Sequence, residues 1–186
     1  MLIKRMLASA IAAFMCLSAF SQKVSLSTDV LGYADMLTLN GELSCSVARR
    51  WSVNAGFRYN PFTYRKGEDD HLASRRQRSF AAGARFWPWH VYSGWWLSGK
   101  AQYQEYNNGG VRSLKTREGD RYGAGLAAGF TYMLTSFLNL ELSAGAWGGL
   151  DVYTVYECPE CGVTLDSGSK FYVLPNDISL ALSLVF

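Results

Sequence analysis

Two short stretches carry the side chains best suited to chemistry. The first is CPECG, residues 158–162, with Cys158 and Cys161 separated by two residues. That spacing fits half of a zinc knuckle, a redox pair or a local disulfide. A knuckle needs two further ligands, and beyond residue 21 the only other cysteine is Cys45 and the only histidines are His71 and His90, all distant in sequence. In an exported chain a Cys158–Cys161 disulfide bracing its loop is the expected form, with no metal or cofactor. The second stretch is YRKGEDDHLASRRQR, residues 64–78. His71 beside Asp69, Asp70 and Ser74 supplies the ingredients of a base-assisted nucleophile, which makes His71 a weak catalytic candidate. Such a triad is defined by held geometry and not by adjacency, so a solvated polar loop is expected and no catalytic residue is assigned. Arg65, Lys66, Arg75, Arg76 and Arg78 are candidates for pairing with lipid phosphates, although mixed charge is also ordinary solvation.

The compartment follows from the amino-terminal end. MLIKRMLASAIAAFMCLSAFSQ opens with Lys4 and Arg5, continues as an apolar stretch from Met6 to Phe20, and presents Ala19 and Ser21 at the positions a signal peptidase favours. This reads as a signal peptide over residues 1–21, removed to leave one domain over residues 22–186. The apolar stretch falls short of the roughly 20 residues a spanning helix needs. The 18 basic residues less Lys4 and Arg5 leave 16 against 15 acidic, a net charge of +1. A chain so nearly neutral gives no reason to expect a nucleic-acid partner.

The elements that must position these groups are strands. Period-two alternation predicts eight of them: residues 24–33, 38–48, 51–59, 79–87, about 95–105, 122–132, 138–147, and the terminal ISLALSLVF, 178–186. The connections after odd-numbered strands are 34–37, 61–78, 106–120 and 151–175, three of them long; those after even-numbered strands are all short. Antiparallel hairpins would gather the long ones at one end. Each strand has a face of large apolar residues, such as Leu180, Leu182 and Leu184, and a face of Gly, Ser, Ala and Asn with few charges. A face meeting water would carry more Lys, Glu and Thr, so the small-residue face is expected to point inward and the large one toward lipid. The enclosed charges, Asp29, Glu42 and Glu141 against Arg58, Arg85 and Lys100, are nearly balanced and are expected to form one interior network, because an unpaired buried charge is costly.

With this signal sequence, the alternating strands, YGAGLAAGFTY at 122–132 and an end on Phe186, the chain resembles small outer-membrane β-barrels of the OmpA or OmpX kind. KFYVLPNDISLALSLVF also resembles the closing segment of a family of uncharacterised Bacteroidota barrel proteins. The resemblance implies an all-β, eight-stranded antiparallel transmembrane barrel in a Gram-negative outer membrane, with Phe186 read by the barrel-insertion machinery. It implies contact with outer-membrane lipid, lipopolysaccharide among it, and no fixed task. The function expected is non-enzymatic: a monomer whose outer loops serve a structural, adhesive or surface-binding role toward an envelope or surface protein. The alternatives are a lipid-modifying acyl hydrolase or transferase using His71, and a soluble periplasmic ligand-binding barrel. A pore is disfavoured, since eight strands leave an interior that side chains fill.

Overall fold

The computed structural model describes residues 24–35, 37–66, 71–109, 115–158, 162–175 and 178–186. Residues 1–23, expected as a signal peptide over 1–21, lie outside the described residues, as do Asp69, Asp70 and Cys161 and the side chains of Arg65, Lys66 and His71. The strands are β1 (Val24–Asp29), β2 (Leu39–Ala48), β3 (Trp51–Asn60), β4 (Thr63–Lys66), β5 (His71–Phe86), β6 (Gly94–Gly109), β7 (Thr116–Met133), β8 (Leu138–Tyr156), β9 (Thr164–Leu174) and β10 (Ser179–Val185), with a short helix α1 (Val30–Ala34). All pairings are antiparallel. The sheet runs β10-β1-β2-β3-β5-β6-β7-β8, and β10 pairs again with β8, so this path closes on itself as a ring. β4 is attached to β5, and β9 follows β8.

The all-β antiparallel expectation agrees with this sheet, but the eight expected stretches become ten strands. One added strand, β4, follows Pro61, whose missing N–H interrupts the ladder of β3. The other, β9, lies almost wholly within the expected connection 151–175 and is separated from β10 by a break at Pro175. The expected first strand, 24–33, also stops early. Asp29 accepts a hydrogen bond from the Leu31 N–H at 3.1 Å and caps α1.

The expected contrast in loop length becomes a contrast in strand height. β5 begins at His71, β6 reaches Gly109, β7 begins at Thr116 and β8 reaches Tyr156. Most of the three long connections is therefore strand, rising above the ring. At the lower end the turns are short: Arg49–Arg50, then 87–93, then 134–137.

Burial follows the alternation. Small and polar residues point inward, with Ser25, Ser44, Ser52, Ser98, Asn139 and Ser183 all buried, while Leu43, Val53, Phe80, Leu97, Leu142 and Leu182 are exposed. Leu126 is 75% exposed in the middle of β7. One apolar cluster sits at the lower end, made of Trp87, Tyr92, Trp96 and Val185, and higher in the wall Trp147 and Tyr172 are buried against each other with ring centres 5.0 Å apart. The segment WPWHVY, which reads as an interfacial anchor, instead folds inward in part: Trp87 is fully buried and donates its indole N–H to Ser52 Oγ at 3.0 Å, while Trp89 and His90 stay exposed. Tyr92 takes a left-handed backbone at φ 66°, a conformation that costs about 1–3 kcal/mol. Burial of its ring, and the bond from its hydroxyl to the Ser44 carbonyl at 3.1 Å, offset that cost. Close strand approach also fixes one residue type at the middle of the wall: a Cβ on Gly149 would lie 1.9 Å from the Tyr122 carbonyl oxygen.

Candidate functional site

The six charges picked out by alternation line one interior cavity of about 90 Å³: Asp29, Glu42, Arg58, Arg85, Lys100 and Glu141. They arrive from β1, β2, β3, β5, β6 and β8, each on the inward face of its strand. Arg85 is the hub. Its guanidinium bonds Glu42 with one nitrogen and Glu141 with another, the latter at 3.0 Å. Glu42 also accepts from the Asn54 amide at 3.2 Å. Below it, the Trp96 ring lies 4.3 Å from the Arg85 guanidinium carbon, so the charge rests on an aromatic face. Two carboxylates around one buried guanidinium would repel each other if the cation were lost. Arg58 is paired with Asp29 at 3.6 Å in a wetter position, its side chain 36% exposed against 10% for Arg85.

A second polar centre sits higher, in the upward extensions of the strands, and alternation did not find it. Asp151 on β8 is almost fully buried. It accepts from the Tyr106 hydroxyl at 2.7 Å and from Arg117 at 3.0 Å, with Arg121 at 3.5 Å. The Arg121 guanidinium carbon stacks 3.9 Å from the Tyr106 ring centre, and that of Arg117 lies 4.0 Å from the Tyr153 ring. Tyr106 lies three residues above Tyr103 on β6, and its phenol is pushed up to about 12 by burial and by the bond to Asp151. It therefore remains a proton donor through the neutral range. From Arg121 the bonding continues through Gln104 and Gln77 to Thr38, which also accepts from Asn60. A signal for this centre was present: Asp151 extends the inward register Glu141, Ser143, Gly145, Trp147, Gly149, and Arg121 extends that of Gly123 and Gly125.

The other candidates are dispersed. His71 pairs through its backbone with Lys66 at the top of β4 and β5. The Ser74 hydroxyl is buried and engaged with Asn107 at 3.3 Å, so it does not stand free as a nucleophile. Of the basic residues named for lipid phosphate, Arg75 is ion-paired with Asp35 and Arg78 with Glu105, while Arg76 is exposed. Arg65 and Lys66 fall in β4. Cys158 lies just past the top of β8, and Cys45 is a free thiol. Phe186 is bound through its backbone to Val24, its N–H donating at 2.8 Å. Among the described residues no cluster of three or more His, Cys, Asp or Glu could hold a metal ion.

Among the described residues the arrangement offers paired charges and packed tyrosines. No curated protein matches the sequence. Residues 6–186 match the family described as protein of unknown function (DUF3575), and the chain belongs to that family.

Proposed function

We propose that the chain is an outer-membrane β-barrel, exported with residues 1–21 removed, whose role is non-enzymatic surface binding or structural support through the strands that rise above the bilayer. The observation that carries this reading is the exterior of the ring. Leu26, Leu43, Val53, Phe57, Phe80, Leu97, Leu126, Leu142 and Leu182 form an exposed apolar band around it. Aromatic pairs bound the band, Trp51 with Phe86 and Trp95 with Phe130 below, Tyr103 with Tyr122 above. From Tyr122 to Tyr132 about ten residues at about 3.3 Å each, tilted by about 40°, rise about 25 Å, the height of such a band in outer-membrane barrels. A water-soluble ligand-binding barrel would carry these side chains inside. The eight strands of the closed path serve as the staves, and the filled interior argues against a pore.

Three further assignments belong to this reading. Phe186 acts in recognition by the insertion machinery, Cys158 and Cys161 form a disulfide at the outer end, and Arg65, Lys66 and Arg76 are the basic residues offered to lipopolysaccharide phosphate. The test is fractionation followed by electrophoresis with and without boiling. The reading expects the protein in the outer-membrane fraction, with a heat-dependent shift in mobility, and expects Leu182→Arg to impair insertion by roughly 2–4 kcal/mol. Recovery in the soluble periplasm without detergent would overturn it.

A further inference from the structure

Among the described residues β9 is bonded along one side only. It pairs with Trp147–Tyr156 of β8, while β1, which seals the ring below, ends at Asp29 opposite Ala181 of β10. Across the gap, β4 pairs, among the described residues, only with β5. The upper sheet β4-β5-β6-β7-β8-β9 is thus open, with β9 its longer edge, and residues 164–171 are exposed throughout. A row of unpaired backbone N–H and C=O groups is a template for an added strand.

The side chains of this edge say which strand would fit. Residues 163–173 read VTLDSGSKFYV and are self-complementary about Gly168. In an antiparallel pairing centred there, position 166 faces 170, 165 faces 171 and 163 faces 173. A strand of this pattern would set Lys against Asp166, Asp against Lys170, and apolar residues against Leu165 and Phe171. Asp166 and Lys170 share a face and flank Tyr153, which pairs with Gly168 and donates its hydroxyl to Asp166 at 3.3 Å. The Lys170 ammonium lies 5.5 Å from the Tyr153 ring centre. On the opposite face Phe171 is 72% and Val173 62% exposed. A second copy does not satisfy this pattern within one membrane. Copies inserted the same way up would bring their β9 strands together in parallel, with like charges side by side.

We propose that β9 is the docking edge for an extended segment of a partner protein, which adds as an antiparallel strand with a basic residue across from Asp166, an acidic residue across from Lys170 and apolar residues across from Leu165 and Phe171. This names the partner chemistry of the surface-binding role and rests on that reading. The probe is a capped, fluorescent peptide with the sequence of residues 163–173, titrated into the full mature chain folded in detergent micelles. Saturable binding and slowed amide exchange in β9 are expected. A peptide with its Asp and Lys exchanged should bind about tenfold more weakly, since each mismatched pair sets like charges opposite one another. The double variant Asp166→Lys/Lys170→Asp should prefer the exchanged peptide. No binding, or binding indifferent to the exchange on the unaltered protein, would overturn the proposal. So would a dimer in sedimentation that Asp166→Lys alone disperses, which would give the edge to a second copy. The heat-dependent mobility shift of the unbound protein, read on the same samples, reports separately on the membrane reading.

Discussion

The lower ring and the upper sheet solve the same problem, polar groups enclosed by strands, in different ways. Below, every strand of the ring has two neighbours, the interior is narrow, and Arg85 is held between Glu42 and Glu141 above a base of Trp87, Tyr92 and Trp96. Above, the sheet is open and one carboxylate, Asp151, gathers Tyr106, Arg117 and Arg121, whose aromatic neighbours shield them in part. Below, two carboxylates share the Arg85 guanidinium in a cavity that Arg58 and Lys100 also line; above, two guanidiniums share the Asp151 carboxylate. Closure below favours a rigid support. Incomplete closure above leaves backbone and side chains to offer to something else.

Substitutions that remove the hub of each region test the contrast most sharply. Arg85→Leu strands two carboxylates in the narrow interior and is expected to lower stability by about 3–5 kcal/mol, measured by denaturant unfolding of the detergent-folded protein. Asp151→Asn leaves Arg117 and Arg121 without their anion. Their side chains are 30% and 16% exposed, so water takes up part of the loss and about 2–3 kcal/mol is expected. If Asp151→Asn proved the costlier, the upper centre would be the structural one and the comparison would be inverted. Arg58→Leu removes a wetter lower pair and should cost about 1 kcal/mol after solvent screening. Arg78→Ala breaks the surface pair with Glu105 and should leave the unfolding midpoint unchanged. A large effect there would mean that the outer rim is mechanically coupled to the ring.

The same division governs what could be read from the sequence. Where one face is enclosed and the other apolar, alternation is strong, and β2, β3 and the lower part of β7 begin and end close to where it placed them. The six interior charges follow from that register. In the upper extensions both faces carry polar residues, as in Arg75, Arg76, Gln77, Arg78 and in Thr116 to Arg121, so the period disappears and the chain looks like loop. Asp151, Tyr106 and the two arginines were missed for that reason. The burial of Trp87 and Tyr92 has no local signal, because WPWHVY has the composition of an interfacial anchor. Trp87 is held inward by its bond to Ser52 Oγ and Tyr92 by its bond to the Ser44 carbonyl, on strands distant in sequence, which no local pattern reports.

The seam between β1 and β10 has a kinetic consequence. The Ser25 and Ser183 hydroxyls that meet across it at 2.6 Å are 158 residues apart in the chain, and the Leu180 N–H that donates to Asp29 is 151 residues from it. Such contacts are gained only after nearly the whole loop entropy has been lost. The ring is therefore expected to assemble from neighbouring hairpins and to close last at this seam. Because Val24 and Phe186 are joined there by a reciprocal pair of backbone hydrogen bonds, a circular permutant that links these two residues and opens the chain between Arg49 and Arg50 would make the seam a local hairpin. It would keep the native contacts while moving the slow step to a different pair of strands.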